Sequence, residues 1–288
     1  MDNIVRLKRD IVEDYAYSEA IKGLRTNMQY CGNNIHVIMF TSALPDEGKS
    51  DISFGLALSM AKIGKRVVVI DADIRRSVLK DRYNVQGEVF GLTHYLTGQK
   101  GMDEIVYETG KENLSVVFAG PFSPNPSELL EDSLFDDFVA KLRESYDYVF
   151  IDTPPMASLA DGAIVARRCD GVVLIIESGA ISYRLEQQVL RQIEATGTKV
   201  LGAVLNRVDP KTEGYYGRYG KYGKYGKYGK YGSYGKYGYG YGYGYGYGSD
   251  VRGSQDETDG ESRPKNGGDS EDSVGVDSKA KTVGESKA

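Results

Sequence analysis

A lysine and a serine directly before one predicted helix have the spacing of a phosphate-binding site. They end the loop Thr41-Ser-Ala-Leu-Pro-Asp-Glu-Gly-Lys-Ser50, which follows an apolar run and precedes a helical pattern. Backbone N–H groups in such a loop can point inward around a phosphate, and the helix N-terminus adds partial positive charge. Lys49 would reach the terminal phosphates and Ser50 would ligate Mg²⁺. The residues predicted to bind ATP in this loop are Ala43, Leu44, Pro45, Asp46, Glu47, Gly48, Lys49, Ser50 and Asp51.

Carboxylates follow two later apolar runs. The motif Asp71-Ala-Asp73-Ile-Arg75 comes after VVVI, and Asp152 ends the run YDYVFID before Thr-Pro-Pro. Because the carboxyl ends of strands in an open α/β sheet meet at one edge, these acids should lie beside the phosphate loop. We predict that Asp152 orders the metal, and that Asp71 and Asp73 supply a second metal contact and a base for an attacking hydroxyl. The predicted catalytic residues are Lys49, Asp71, Asp73 and Asp152, and the predicted metal ligands are Ser50, Asp73 and Asp152.

Six short apolar runs alternate with helical patterns in the first 213 residues. The runs are nearly continuous in apolar content, as expected of strands that are buried on both faces of a sheet. This alternation predicts an α/β domain with a doubly wound, mostly parallel sheet. The predicted strands are 34–42, 65–71, 114–120, 146–152, 171–177 and 199–206, and the predicted helices are 51–63, 126–145, 162–168 and 183–196.

The composition changes abruptly near residue 213. Residues 1–213 hold nearly all of the Ile, Leu, Val, Met and Phe and carry a net charge of −7, so we predict one globular domain there. Residues 214–248, the Tyr/Gly block, contain 14 tyrosines, 14 glycines, six basic residues and one serine, for a net charge of +6. Residues 249–288 are polar and acidic, with a net charge of −4. Neither segment can bury enough apolar surface to offset the entropy of ordering, so both are predicted to be disordered.

Taken together, the phosphate loop and the two acidic motifs resemble the bacterial tyrosine kinases (BY-kinases) of capsule and exopolysaccharide systems. The resemblance covers residues 12–209 and extends to the tail, since these kinases end in a tyrosine cluster. It implies a P-loop NTPase fold of deviant Walker type, similar to MinD, with one Mg-ATP site and phosphorylation of the enzyme's own C-terminal tyrosines. The acceptors implied for this chain are Tyr215, Tyr216, Tyr219, Tyr222, Tyr225, Tyr228, Tyr231, Tyr234, Tyr237, Tyr239, Tyr241, Tyr243, Tyr245 and Tyr247.

The resemblance also implies partners. The segment 18–27 looks like the family's oligomerisation helix, with Glu19, Lys22 and Arg25 as the contacts of a ring homo-oligomer. No apolar run approaches the ~20 residues of a membrane span, and the first ten residues lack a signal-peptide pattern, so we expect a cytoplasmic protein. The family then implies a separate membrane-anchored polysaccharide co-polymerase adaptor, which activates the kinase at the inner face of the plasma membrane. A tyrosine phosphatase is the further implied partner.

Several positions depart from the family's pattern. Ala43 replaces the usual first glycine of the phosphate loop. Lys22 replaces an arginine, which keeps the charge but loses the bidentate fork. Asp51 stands where a threonine or serine normally reaches the α-phosphate. Together with Asp46 and Glu47 it would repel ATP, unless its side chain points away from the site as an acid of the first helical turn.

Five further residues are weaker candidates. Asn206 ends the last predicted strand and would either contact adenine or serve as a turn residue. Asp161 is predicted to cap a helix, and Arg75 to steady phosphate or an acidic partner or to form a surface salt bridge. His36 and His94 are isolated in the sequence and are predicted to be structural.

Two other functions fit part of the sequence. A partitioning or septum-positioning ATPase of the MinD/ParA type shares the sheet and the phosphate loop, but it carries a second lysine at the position of Leu44. A nucleic-acid-binding or condensate protein could use the Tyr/Gly block for stacking. The acidic globular part argues against nucleic acid as its own partner. Cys31 and Cys169 are too few and too far apart for a disulfide framework and are predicted to be buried, reduced thiols.

Overall fold

The computed structural model describes residues 4, 5, 7, 15–85, 87–157 and 159–208. The Tyr/Gly block and the acidic segment, with all of the predicted tyrosine acceptors, lie outside the described residues.

The described residues form a seven-stranded sheet in the order β3-β4-β2-β5-β1-β6-β7. All neighbouring strands are parallel except β3, which pairs antiparallel with β4. The predicted doubly wound, mostly parallel α/β fold is therefore confirmed. The strands are β1 Val37–Ser42, β2 Val67–Asp71, β3 Val106–Glu108, β4 Leu114–Val117, β5 Tyr148–Asp152, β6 Gly171–Glu177 and β7 Val200–Asn206.

Helices cover both faces of this sheet. Alternate side chains of each central strand point to opposite faces, so Val37 and Met39 join one apolar core while Ile38 and Phe40 join the other. The first core is closed mainly by α4, α7, α8 and α9, and the second by α1, α2 and α3. The helices are α1 Tyr15–Gln29, α2 Lys49–Ala61, α3 Leu79–Arg82, α4 Leu92–Leu96, α5 Met102–Ile105, α6 Pro126–Glu131, α7 Ser133–Ser145, α8 Asp161–Ala166 and α9 Tyr183–Ala195.

The predicted helix over 126–145 is in fact two helices. Asp132 lies between α6 and α7 with an extended backbone, and its side chain accepts a hydrogen bond from the Leu134 N–H. A short acid in this conformation is a strong N-cap, so α6 ends and α7 begins at this point. The three-residue strand β3 and the short helices α3, α4 and α5 were not predicted, because elements of three to five residues carry too little periodicity.

Among the described residues, no helix is both long enough and apolar enough to span a membrane.

Candidate nucleotide and phosphoryl-transfer site

The predicted phosphate loop and the predicted acids meet at one edge of the sheet. β2, β5 and β1 are neighbours, so their carboxyl ends bring Asp71, Asp152 and the loop of residues 43–48 side by side. A cleft of about 240 Å³ opens there, and its lining includes Lys49, Ser50, Asp71, Asp73, Arg75 and Asp152. The sequence therefore predicted correctly which polar groups face one another.

Two left-handed residues shape the phosphate loop. Gly48 has φ +91° directly before α2, and Asp46 has φ +62°, which is uncommon for a residue with a side chain. Gly48 also lies against Asn206, since a Cβ added at this glycine would come within 2.2 Å of the Asn206 Nδ2. That same Nδ2 donates a hydrogen bond of 2.9 Å to the Glu47 carbonyl. Asn206 thus braces the loop from β7, a role that the sequence did not suggest.

The Glu47 carboxylate points into the protein and not toward the cleft. Only 1% of the residue is exposed, and its oxygens accept hydrogen bonds from the backbone N–H groups of Leu44 and Glu177. The loop and the end of β6 are joined through this side chain. Of the three loop acids expected to repel ATP, Glu47 has its carboxylate compensated by backbone N–H groups, one of which is the Leu44 N–H.

Asp152 carries the feature that best fits a cation. Its Oδ1 is buried and has no hydrogen-bond partner among the described residues, although a buried polar atom normally has one. Burial raises the pKa of Asp152 to about 6, while the Lys49 charge and a hydrogen bond from Ser50 act in the opposite direction. A carboxylate oxygen without a partner, beside a serine hydroxyl, is a fitting donor pair for Mg²⁺.

Asp71 is more deeply engaged within the protein. Its Oδ2 accepts a 2.5 Å hydrogen bond from the Ser77 hydroxyl, and its Oδ1 accepts one from the Asp73 N–H. Burial and the neighbouring Asp152 raise the pKa of Asp71 to about 8. Asp73 is only partly buried, and its Oδ1 accepts a hydrogen bond from the Arg76 N–H.

The acids do not form a metal cage by themselves. Within the described ranges, no three side chains of Asp, Glu, His or Cys are close enough together to hold a metal ion. This arrangement fits Mg²⁺, which is usually held by one or two carboxylates together with the phosphates of the substrate. That Ser50, Asp73 and Asp152 are the ligands of such an ion remains a prediction.

The Asp51 side chain forms an ion pair with an arginine of another helix. It belongs to the first turn of α2, and its Oδ2 lies 2.8 Å from the Arg82 Nη1 on α3. The sequence offered two alternatives for Asp51, and neither included this arginine. Arg82 is on a four-residue helix and belongs to no motif, so no sequence signal pointed to it.

Arg75, which lines the cleft, forms a partly buried ion pair with Asp161. The Arg75 Nε and Nη2 donate to the two carboxylate oxygens of Asp161, whose side chain is 1% exposed, and Ser127 donates to the same carboxylate. Asp161 is the first residue of α8, but its side chain binds no backbone N–H at the helix start. The predicted helix cap is therefore wrong, and the predicted surface salt bridge of Arg75 is instead a partly buried one.

The predicted oligomerisation residues lie on α1. Glu19 and Lys22 are exposed and form an ion pair of 2.7 Å with each other. Arg25 instead donates hydrogen bonds to the carbonyl and hydroxyl oxygens of Ser59 on α2. Two of the three residues are therefore exposed to a partner, and their ring contact remains a prediction.

The two histidines have structural surroundings. His36 Nδ1 lies 3.0 Å from the Asp147 carbonyl, and His94 Nδ1 accepts a hydrogen bond from the Gly91 N–H. Cys31 and Cys169 are both free thiols, as predicted, but each is only partly buried, so the predicted full burial is wrong.

The fold and the cleft define a P-loop nucleotide-binding domain, and comparison with known proteins identifies its family. Residues 36–202 match the family AAA_31, described as an AAA domain. The chain is 39% identical to the tyrosine-protein kinase CpsD of Streptococcus agalactiae over 201 residues, which are 69% of this chain and 88% of that protein. The kinase domain of the Escherichia coli tyrosine kinase ETK superposes with a TM-score of 0.63 at 30% identity, over 67% of this chain and 77% of that chain. The chain belongs to the bacterial tyrosine kinases of capsule biosynthesis.

The same fold occurs beyond this family. The septum site-determining protein MinD from Pyrococcus horikoshii, solved with Mg-ADP, superposes with a TM-score of 0.53 at 19% identity, over 60% of this chain and 70% of that one. Likeness at this identity shows the fold alone. It confirms the predicted P-loop class, whereas the kinase relatives share 30–39% of their residues with this chain.

Proposed function

We propose that this enzyme transfers the γ-phosphoryl group of ATP to tyrosines of its own Tyr/Gly block, mainly between neighbouring copies. The observation that carries the proposal is the convergence of Lys49, Ser50 and three acids on one cleft in a chain that also holds 14 clustered tyrosines. Through this modification the enzyme would regulate the polymerisation or export of a capsular or exopolysaccharide.

The residues of the cleft have separable roles in this reaction. Lys49 begins α2 and would bind the β- and γ-phosphates, helped by the partial positive charge of the helix N-terminus. Ser50, Asp152 and Asp73 would hold Mg²⁺, which neutralises phosphate charge as it develops. Asp71 binds a proton more readily than an ordinary carboxyl, because it is buried beside Asp152, and it would accept the proton of the attacking tyrosine.

The Tyr/Gly block suits an acceptor of repeated phosphorylation. Its net charge of +6 complements the −7 of residues 1–213, which favours docking of an unmodified block near an acidic site. Each phosphotyrosine adds about −1.5 to −2 charges at neutral pH, so three or four phosphates neutralise the block. Further phosphates would expel it from a neighbouring site and disperse a ring.

Exposed charged residues on α1 favour transfer between copies over transfer within one chain. A glycine-rich segment of about 20 residues spans roughly 25 Å on average, which would reach either the same chain's site or a neighbour's. The exposed Glu19 and Lys22 on α1 offer charged contacts for a neighbouring copy. A membrane-anchored adaptor would bring such a ring to the inner face of the plasma membrane, and a tyrosine phosphatase would reverse the modification.

Phosphate mapping on purified protein tests the activity. The protein is made in a host without tyrosine kinases, incubated with Mg-ATP and digested for mass spectrometry. We expect phosphotyrosine within residues 214–248 of the wild type and none in Lys49→Met. The matched control is Arg66→Met, which removes a cation at the opposite end of β2, about 16 Å from the site at ~3.3 Å per strand residue, and should stay active. Phosphotyrosine retained in Lys49→Met would contradict the proposal.

A further inference from the structure

Arg82 stands beside the phosphate loop with an unusual pairing. Its Nη1 lies 2.8 Å from the Asp51 Oδ2, yet this atom is buried and makes no correctly oriented hydrogen bond with any described residue. The contact is therefore a close approach of charges and not a directed bond. The side chain of Arg82 is 22% exposed, so most of it lies inside the protein.

Asp51 is fixed in place next to the nucleotide-binding residues. It follows Ser50 in the first turn of α2, and its backbone carbonyl accepts a 3.1 Å hydrogen bond from the Tyr17 hydroxyl on α1. This hydrogen bond ties the first turn of α2, and Asp51 with it, to α1. An unopposed charge at this position would repel ATP.

The field of Arg82 reaches the catalytic acids as well. Burial raises the pKa of Asp152, and the charge of Arg82 is one of the influences that lower it. Arg207 also lies within range of Asp51, but its guanidinium forms a 2.7 Å ion pair with Glu177. Among the described residues, Arg82 is the one of these two arginines that forms its ion pair with Asp51.

We propose that Arg82 is a phosphate-binding residue of this kinase, which offsets the charge of Asp51 and contacts the nucleotide at the same time. A guanidinium has five N–H donors in a fixed fork, enough for one carboxylate and one phosphate oxygen together. The buried Nη1 makes no directed hydrogen bond among the described residues, so a phosphate oxygen could accept one from it while the guanidinium stays beside Asp51. This inference rests on the proposed ATP site and adds a residue that lies outside its motifs.

The competing explanation is purely structural. Arg82 and Asp51 join α3 to α2, so the pair could hold the two helices together without touching the nucleotide. Loss of such a link would lower the midpoint of unfolding but leave the affinity of the folded protein for nucleotide unchanged. The two explanations therefore differ in binding, not in stability.

Calorimetric titration of the non-hydrolysable ATP analogue AMP-PNP with Mg²⁺ separates them. We expect the dissociation constant to rise about tenfold in Arg82→Met, since a partly solvated charge contact of this kind is worth about one decade in affinity. Arg82→Lys should recover most of the loss, because it keeps the charge. Asp51→Asn should bind about fivefold more tightly than the wild type, and the double variant Arg82→Met/Asp51→Asn should return to within about threefold of it.

Arg66→Met is the matched control, because it removes the same charge at the far end of β2 and should bind like the wild type. Wild-type affinity in Arg82→Met, with a lowered unfolding midpoint, would show that the pair is structural and overturn the inference. A wild-type protein that fails to bind Mg-AMP-PNP would instead contradict the proposed nucleotide site, and Arg82's role with it.

Discussion

A methyl group added at Gly48 should weaken the phosphate loop through Asn206. In Gly48→Ala the new Cβ would meet the Asn206 Nδ2 at 2.2 Å, which is closer than any real contact. The amide of Asn206 must then move, and it loses its 2.9 Å hydrogen bond to the Glu47 carbonyl. The substitution thus acts on the brace of the loop as well as on its backbone.

The cost can be estimated from these two effects. An alanine at φ +91° costs about 1–2 kcal/mol of backbone strain, and loss of the hydrogen bond costs about 1 kcal/mol. Alanine also lowers the conformational entropy of the unfolded chain, which offsets about 0.5 kcal/mol of this loss. We therefore expect Gly48→Ala to lower the free energy of unfolding by about 2 kcal/mol, and Asn206→Ala to lower it by about 1 kcal/mol.

The double variant tests the shared cause. Since both single changes remove the same hydrogen bond, Gly48→Ala/Asn206→Ala should cost about 2 kcal/mol and not the sum of about 3 kcal/mol. Gly64→Ala is the control, because Gly64 has φ +83° and no atom within 4 Å of an added Cβ. The loss of unfolding free energy in Gly64→Ala should simply add to the loss in Asn206→Ala. The assay is urea unfolding of all five variants, and additive losses for the Gly48 pair would refute the reasoning.

Three further outcomes follow from the described contacts and the charges. Asp170 accepts backbone hydrogen bonds from His36 and Val37 and binds Arg143; burial raises its pKa, but these bonds outweigh burial and leave the pKa lowered. Asp170→Asn should therefore lower the free energy of unfolding by about 1–2 kcal/mol at pH 7. This difference should be present above the unfolded pKa of about 3.9 and be lost as pH falls through the lower folded pKa. Urea titrations at a series of pH values would detect it. Arg75→Met should lower the free energy of unfolding by about 2 kcal/mol at neutral pH, because it leaves the buried Asp161 carboxylate without its cation. Protonation of that carboxyl relieves the penalty, so the loss should shrink toward pH 4. A loss that does not change with pH would contradict this account. Light scattering before and after ATP should show a ring dispersing once about four phosphates per chain have been added, and a fully phosphorylated sample that stays oligomeric would refute the charge mechanism.

Strong patterns in the sequence predicted the sheet and the meeting of acids at its edge. Strands β2 and β5 are continuous apolar runs, and their parallel pairing brings Asp71 and Asp152 into register. The loop motif placed Lys49 and Ser50 directly before a helix predicted over 51–63, and the structure begins α2 two residues earlier, at Lys49. These features depend on local periodicity and on topology, and the sequence pattern indicates both.

Contacts between side chains of elements that are distant in the sequence could not be predicted from it. Asn206 reaches Glu47 across 159 positions, and Arg75 reaches Asp161 across 86, so no spacing rule links the partners. Arg82 belongs to a helix too short to show a period. The inward turn of Glu47 likewise depends on the N–H group of Glu177, which only the folded chain brings near.

Mixing two disabled copies measures the central claim most directly. One protein is Lys49→Met with an intact Tyr/Gly block, and the other is an active enzyme in which all 14 block tyrosines are replaced by Phe. The two are incubated together with labelled Mg-ATP, and the label on each chain is measured after separation by mass. We predict phosphate on the block of the Lys49→Met chain only in the mixture. An unlabelled Lys49→Met chain, with a wild-type protein that still modifies itself, would contradict transfer between copies.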